Sequence, residues 1–264
     1  MYFLRLTCPA AEAENVSGDL WDAGTAGIQE IDYDHETVLL AGFETNEDRA
    51  VLLQRFALYA PEWEHDDTTD WIAYTKEAWA PRCVGERLFL APPWCEDPTP
   101  PNRQRVIHNP GLACGTGEHP CTQLALEALE KCASPGDLVV DVGTGSGILA
   151  VAALRLGAAF ALGIDPDAAA LSAAAENFAL NDFAPMLAAG SADAVKTATA
   201  DVTVANISGT VLVYIAEELL RITKPNGKLI LTGFPEWELP AFFQLFPNAD
   251  VSGINEWRCL LISL

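Results

Sequence analysis

Residues 139–147 read Val-Val-Asp141-Val-Gly143-Thr-Gly145-Ser-Gly147, and an acid, Asp165, follows 22 positions after Gly143. An apolar strand runs into a glycine-rich turn, a helix follows, and a second strand ends on a carboxylate. That order suits a nucleotide-like cofactor: glycines let the backbone come close, and the distal acid accepts hydrogen bonds from ribose hydroxyls. The spacing is G-x-G-x-G behind Asp141, not the dinucleotide pattern G-x-G-x-x-G. A carboxylate held against such a turn repels a pyrophosphate and favours the cationic end of S-adenosylmethionine (SAM). The stretch therefore predicts SAM as cofactor and methyl transfer as chemistry. Asp141, Gly143, Gly145, Gly147 and Asp165 are its cofactor-binding candidates.

Outward from this turn, the chain alternates strand and helix from Cys121 onward. A helix over 121–132 precedes a strand at 138–142; helix 147–156, strand 160–165 and helix 167–181 follow. A further strand is expected near 186–189. Strand 201–206, helix 211–223, strand 227–232 and a hairpin near 248–262 complete a doubly wound, Rossmann-like α/β sheet. Upstream, residues 1–7 alternate as a strand, 9–21 suit a helix, and 27–33 with 37–43 read as a hairpin. Asn46 caps a helix through Tyr59, and a last strand fits near 71–75. That β-α-β-β-α-β order predicts a small ferredoxin-like α+β unit. The expected division is a ferredoxin-like substrate-recognition domain at 1–80, a linker at 81–108 within a stretch, 61–110, that is rich in proline and tryptophan, and the SAM domain at 109–264.

The 264 residues carry 37 acidic against 15 basic side chains, a net charge of −22, and half are hydrophobic. Such a chain is repelled by phosphate backbones, which argues against direct nucleic-acid binding and makes a basic protein the natural macromolecular partner. Seven cysteines, odd in number and without a C-x-x-C pair, suit a reducing cytoplasm. Cys114, His119 and Cys121 lie close together, but no second ligand cluster completes a zinc set, so no metal is expected. The first residues lack the basic and long apolar runs of a secretory signal. The most apolar segment, 148–164, is broken by Arg155 and Gly157, so neither secretion nor membrane insertion is expected. A monomer is the expected state.

Two further stretches carry chemistry. Val204-Ala205-Asn206-Ile207 ends a strand at the carboxyl edge of the sheet, where open α/β folds hold reactive groups. The Asn206 amide can orient the methyl donor or an acceptor nitrogen; the alternative is a capping role. Ser191-Ala192-Asp193 falls where an adenine-contacting acid is often found, although Asp193 reads equally well as a solvated cap. Residues 109–122, Asn109-Pro110-Gly111-Leu-Ala-Cys114-Gly115-Thr116-Gly117-Glu118-His119-Pro120-Cys121-Thr122, place dense glycines before a helix, as in a loop that closes over a ligand. His119 is a candidate proton acceptor, or else it pins the loop to the helix.

On these residues the chain resembles the PrmA family, bacterial methyltransferases that act on ribosomal protein L11. The family pattern N/D-P-G-x-A-F-G-T-G-x-H-x-T-T matches residues 109–122 except at Cys114, which replaces phenylalanine, and Cys121, which replaces the first of two threonines. Asp141–Ile148, Ala205-Asn206-Ile207, the Pro-Pro-Trp94 standing for the family's Pro-Ser-Trp, and Glu256-Trp257 extend the likeness over 71–258. The resemblance implies that Thr122, Gly143, Asp165 and Asn206 fall at cofactor contacts, with Gly115 and Thr116 beside them in the loop. It further implies that the first eighty or so residues grip L11, and that lysine ε-amines and an N-terminal α-amine are methylated. The competing readings are a protein-lysine methyltransferase with a different target and a non-catalytic SAM-fold module that binds ribosomal proteins.

Overall fold

The computed structural model describes residues 2–25, 27–33, 35–43, 49–64, 79–109, 117 and 119–264. It divides into two compact units, 1–75 and 76–264.

In the N-terminal unit, β1 (Tyr2–Pro9), α1 (Ala13–Asp22), β2 (Gly27–Asp32), β3 (Glu36–Phe43), α2 (Arg49–Arg55) and β4 (Glu62–Glu64) follow in order. The sheet order is β2-β3-β1-β4, with every neighbour antiparallel. Alternation explains the core: Leu4, Leu6 and Cys8 of β1 share one face with Leu39, Ala41 and Phe43 of β3. That face is covered by Val16 and Leu20 of α1 and by Leu52 and Phe56 at α2. Trp63 closes one end, edge-on to Phe43 at 5.7 Å and beneath the Arg49 guanidinium at 4.9 Å. The ferredoxin-like order thus stands, but its fourth strand is 62–64, pairing Phe3 to Arg5. The expected cap at Asn46 and the expected strand near 71–75 lie outside the described residues.

The larger unit begins with β5 (Arg82–Val84), β6 (Leu88–Ala91) and β7 (Gln104–Ile107), a three-stranded sheet. This corrects the expected linker over 81–108. Val84, Leu88, Leu90 and Val106 are buried in one core with Leu124, Ala125 and Leu129 of α3 (Pro120–Cys132). Proline supplies no donor, yet the carbonyls around the proline-rich connection are satisfied from outside. Arg103 donates to Leu88 O at 2.7 Å and Gly85 O at 2.9 Å, and Arg105 to Asp97 O at 2.7 Å. The Glu130 carboxylate accepts from the backbone of Glu86 and Arg87 at 2.9 and 2.8 Å. The stretch expected as a linker is thus held by two arginines, and the β5–β6 turn beside it by a glutamate.

The main sheet is built from β8 (Leu138–Val142), β9 (Phe160–Asp165), β10 (Leu187–Ala189), β11 (Ala200–Asn206), β12 (Thr223–Pro235), β13 (Asp250–Ile254) and β14 (Trp257–Ser263), in the order β10-β9-β8-β11-β12-β14-β13. The first five are parallel, and β14 and β13 close the edge antiparallel. Parallel neighbours need crossovers, supplied by α4 (Ile148–Leu156) and α5 (Ala168–Leu180) on one side of the order. The other crossover carries α6 (Gly209–Tyr214) and α7 (Ala216–Ile222), and α8 (Leu239–Leu245) leads to the closing hairpin. The expected single helix over 211–223 is broken at Ile215, and β12 begins at Thr223, earlier than the expected 227. Both faces are covered, which is why β8 buries Val139 on one side and Val140 and Val142 on the other, with only Asp141 breaking its apolar sequence. The chain leaves β8 in one direction and returns on its other side at β11, so the strand order reverses between them, where α/β sheets open a crevice.

Candidate functional site

A cavity of about 710 Å³ opens at that reversal point, within the range typical of small-molecule sites. Its walls come from the ends of β8, β9 and β11. Val142 to Ser146, Asp165, Pro166 and Asn206 all line it, joined by His119 and Thr122 at the start of α3. The lining that follows β11 is apolar: Ile207, Val211 and Ile215.

The turn after β8 has the shape its glycines allow. Gly143, Gly145 and Gly147 adopt φ of +73°, +52° and +78°, a region that costs an L side chain about 1–2 kcal/mol. At Gly143 a Cβ would also collide with the Ile207 side chain. At Gly147 it would meet Ala174 Cβ at 3.0 Å, so this glycine lets α4 and α5 approach and does not line the cavity. Asp165 fastens the turn from the end of β9: its Oδ2 accepts from Gly145 N at 2.9 Å and its Oδ1 from Asp167 N at 3.0 Å. Each oxygen has capacity for a further hydrogen bond, and the residue lines the cavity. Asp167 caps α5 through Ala169 N at 2.8 Å.

Asp141 stands elsewhere than expected. It is fully buried beneath the turn and does not line the cavity. Its Oδ2 accepts from Thr144 Oγ1 at 2.7 Å and from Ala150 N at 3.2 Å, whereas its Oδ1 has no hydrogen-bond partner among the described residues. Burial pushes its carboxyl up to about 7, against the two hydrogen bonds and with a small addition from Asp165. A group so enclosed braces the turn and cannot meet the cationic end of a cofactor as a surface charge. Its place inside β8 explains the difference: the strand is covered on both faces, and the Asp141 carboxylate meets α4 at Ala150 N instead of the cavity.

Asn206 ends β11 and donates through Nδ2 to Thr122 Oγ1 at 3.3 Å, so two residues 84 positions apart meet on one wall. His119 is the N-cap of α3; its Nδ1 accepts from Cys121 N at 3.2 Å, which leaves Nε2 as the ring's donor. The ring sits edge-on to Trp257, centroids 4.6 Å apart. Cys121 is buried behind it, and burial raises its thiol, which stays protonated. Gly115, Thr116 and Cys114 lie outside the described residues. Of the 191–193 stretch, Ser191 reaches the cavity with Gly190, while Asp193 is exposed in a short 3-10 helix.

Six contributors went unread in the sequence. Thr144 and Ser146, passed over as spacers between glycines, line the cavity. Ser208, Val211 and Ile215 do too, and their three- and four-residue spacing is the one signal that could have found them. Asn177 of α5 is buried; it donates to Ser146 O at 2.9 Å and accepts from Asn109 N at 2.7 Å, tying the cofactor turn to the segment after β7. A cavity of this size, with backbone exposed at a glycine turn, an acid at the next strand end and an amide at the switch point, fits a nucleoside-bearing cofactor such as SAM.

Comparison with known proteins agrees. The family described as "Ribosomal protein L11 methyltransferase (PrmA)" matches residues 10–262. A ribosomal protein L11 methyltransferase of Shewanella sp. (strain ANA-3) is 35% identical over 97% of each chain, and one of Synechococcus sp. (strain RCC307) is 37% identical over 82% of this chain and 73% of its own. The crystal structure of a ribosomal protein L11 methylase from Lactobacillus delbrueckii subsp. bulgaricus superposes with a TM-score of 0.65 at 31% identity, covering 70% of this chain and 98% of that one. The match runs through both units and every strand of the cavity, and so the chain belongs to the SAM-dependent ribosomal protein L11 methyltransferase family.

Proposed function

We propose that this protein transfers methyl groups to primary amines of ribosomal protein L11, namely lysine ε-amines and the N-terminal α-amine. The observation that carries the reading is the Asn206–Thr122 contact, which sets an amide and a hydroxyl side by side on the cavity wall at the end of β11, the strand next to the glycine turn. SAM, when bound, supplies a methyl group on a sulfonium that an amine displaces in line. Asp165 and the backbone of Gly143 to Gly145 hold the nucleoside end, Thr122 sets the rotamer of Asn206, and the Asn206 carbonyl oxygen accepts a hydrogen bond from the incoming amine. Positioning of this kind supplies most of the rate. A lysine ε-amine has a pKa of about 10.4 in water and reacts only when neutral; the apolar wall of Ile207, Val211 and Ile215 favours the neutral form. His119 spends Nδ1 on capping α3, so we assign it an anchoring role and give the proton to water. The acidity of the chain collects a basic protein, and binding weakens as salt is added. The N-terminal unit serves as the L11 grip.

Intact-mass analysis of purified L11 after incubation with enzyme and SAM tests the reading. Mass gains in methyl-sized steps are expected, with kcat falling about a hundredfold in Asn206→Ala while SAM still binds. No gain from a wild-type preparation that binds SAM would sink it.

A further inference from the structure

Two aromatic side chains on the segments that follow β11 and β12 are left exposed by the protein. Tyr214 is 88% exposed and lies three residues after Val211 on α6, the spacing that puts both on one helix face. Trp237 is 73% exposed in the turn after β12. That turn touches the start of α6: a Cβ at Gly209 would collide with the Glu238 carboxylate and lie 2.9 Å from Phe234 Cβ. It also touches the other side of the mouth. Glu236 N donates to Glu256 O at 2.7 Å, and the next residue, Trp257, carries the His119 ring that lines the cavity.

The charge around these aromatics has one sign. Arg258 is largely buried, with its guanidinium committed to Glu236 at 2.7 Å and to the carbonyls of Asn255 and Trp257. Glu238 and Glu256 have no ion pair among the described residues. Two exposed aromatic faces next to unneutralised carboxylates attract a cation from both sources, by Coulomb attraction and by the quadrupole of the rings.

We propose that Tyr214 and Trp237, flanked by Glu238 and Glu256, form a seat at the cavity mouth for a lysine- or arginine-bearing segment of the protein substrate beside the amine to be methylated. The proposal rests on the reading of the site as a protein-amine methyltransferase. The occupant follows from the chemistry: the segment must reach the cavity, it must carry an amine, and the rim is acidic and aromatic. The seat holds the substrate chain and leaves the cofactor to the glycine turn.

The experiment is steady-state methylation of purified L11 at saturating SAM by wild type, Trp237→Ala, Tyr214→Ala and the double variant, with SAM affinity measured by calorimetry. Both side chains are exposed, so truncation spares the core. KM for L11 is expected to rise about threefold in each single variant and about tenfold in the double one, with SAM affinity within about twofold of wild type. Trp237→Phe should restore most of the loss, and Trp237→Leu, which keeps apolar area without a π face, should not. An unchanged KM in the double variant, with wild type active, overturns the seat alone. A wild type that binds SAM and leaves L11 unmethylated fails the functional reading, and the seat falls with it. A wild-type dimer that becomes monomeric in Trp237→Ala would give the patch to a second copy and overturn the proposal as well.

Discussion

The cavity has two walls made of different material. Along β8 and β9 it is lined by backbone: Gly143 to Gly145, fastened by Asp165. Along α6 it is lined by side chains, Val211 and Ile215, whose face runs out to Tyr214. A backbone wall has little room to adjust, because Gly143 and Gly145 hold positive φ and a Cβ at Gly143 would collide with Ile207. A side-chain wall can lose a methyl group and relax. The first should therefore fail abruptly when changed and the second gradually.

The largest effect is expected at Gly143→Ala. The new methyl group enters a φ of +73° and collides with Ile207, so SAM affinity should fall at least about a hundredfold. Calorimetric titration with SAM checks this, and an affinity near wild type would mean the two walls do not differ as described. Asp165→Ala removes the acceptor we propose for the ribose, together with hydrogen bonds from the backbone of Gly145 and Asp167. A loss of SAM affinity of about tenfold to a hundredfold is expected in the same titration.

Asp141→Asn separates bracing from binding. The wild-type carboxyl is raised from an ordinary 3.8 to about 7, so the folded chain keeps a proton that the unfolded chain has already released. The stability owed to this group is complete below about pH 4 and declines as pH rises towards 7, by at most about 1.4 kcal/mol per pH unit. The amide variant should flatten that slope in urea titrations run between pH 4 and 7; an unchanged slope would show that another group carries it. The smallest effect belongs to the soft wall. Ile215→Val removes one methylene, and SAM affinity should drop no more than about fourfold. A far larger loss would mark that wall as rigid too.

The contrast between the walls matches what could be read without coordinates. The turn was legible because special backbone geometry forces particular residue types, and three alternate glycines behind a strand admit few other uses. Asn206 was legible from its place at a strand end. The role of Asp141 was not, because the sequence names a carboxyl without saying whether it faces ligand or core. The stretch 82–107 was misread for a related reason. Its prolines announced stiffness, while the arginines that satisfy its carbonyls are recognisable only once β6 and β7 are seen to pair.

The alternation of strand and helix, the glycine turn with its distal acid, and the absence of any charge balance favouring nucleic acid were all determined by the sequence itself, since each depends on neighbours within a few residues or on sums over the chain. The meeting of Asn206 with Thr122, the burial of Asp141, the tie made by Asn177 and the exposed pair Tyr214 and Trp237 were decided only by the tertiary structure. The Asn206–Thr122 and Asn177–Ser146 contacts join residues tens of positions apart. What brings them together is the packing of helices across a parallel sheet, and local sequence carries no record of that geometry.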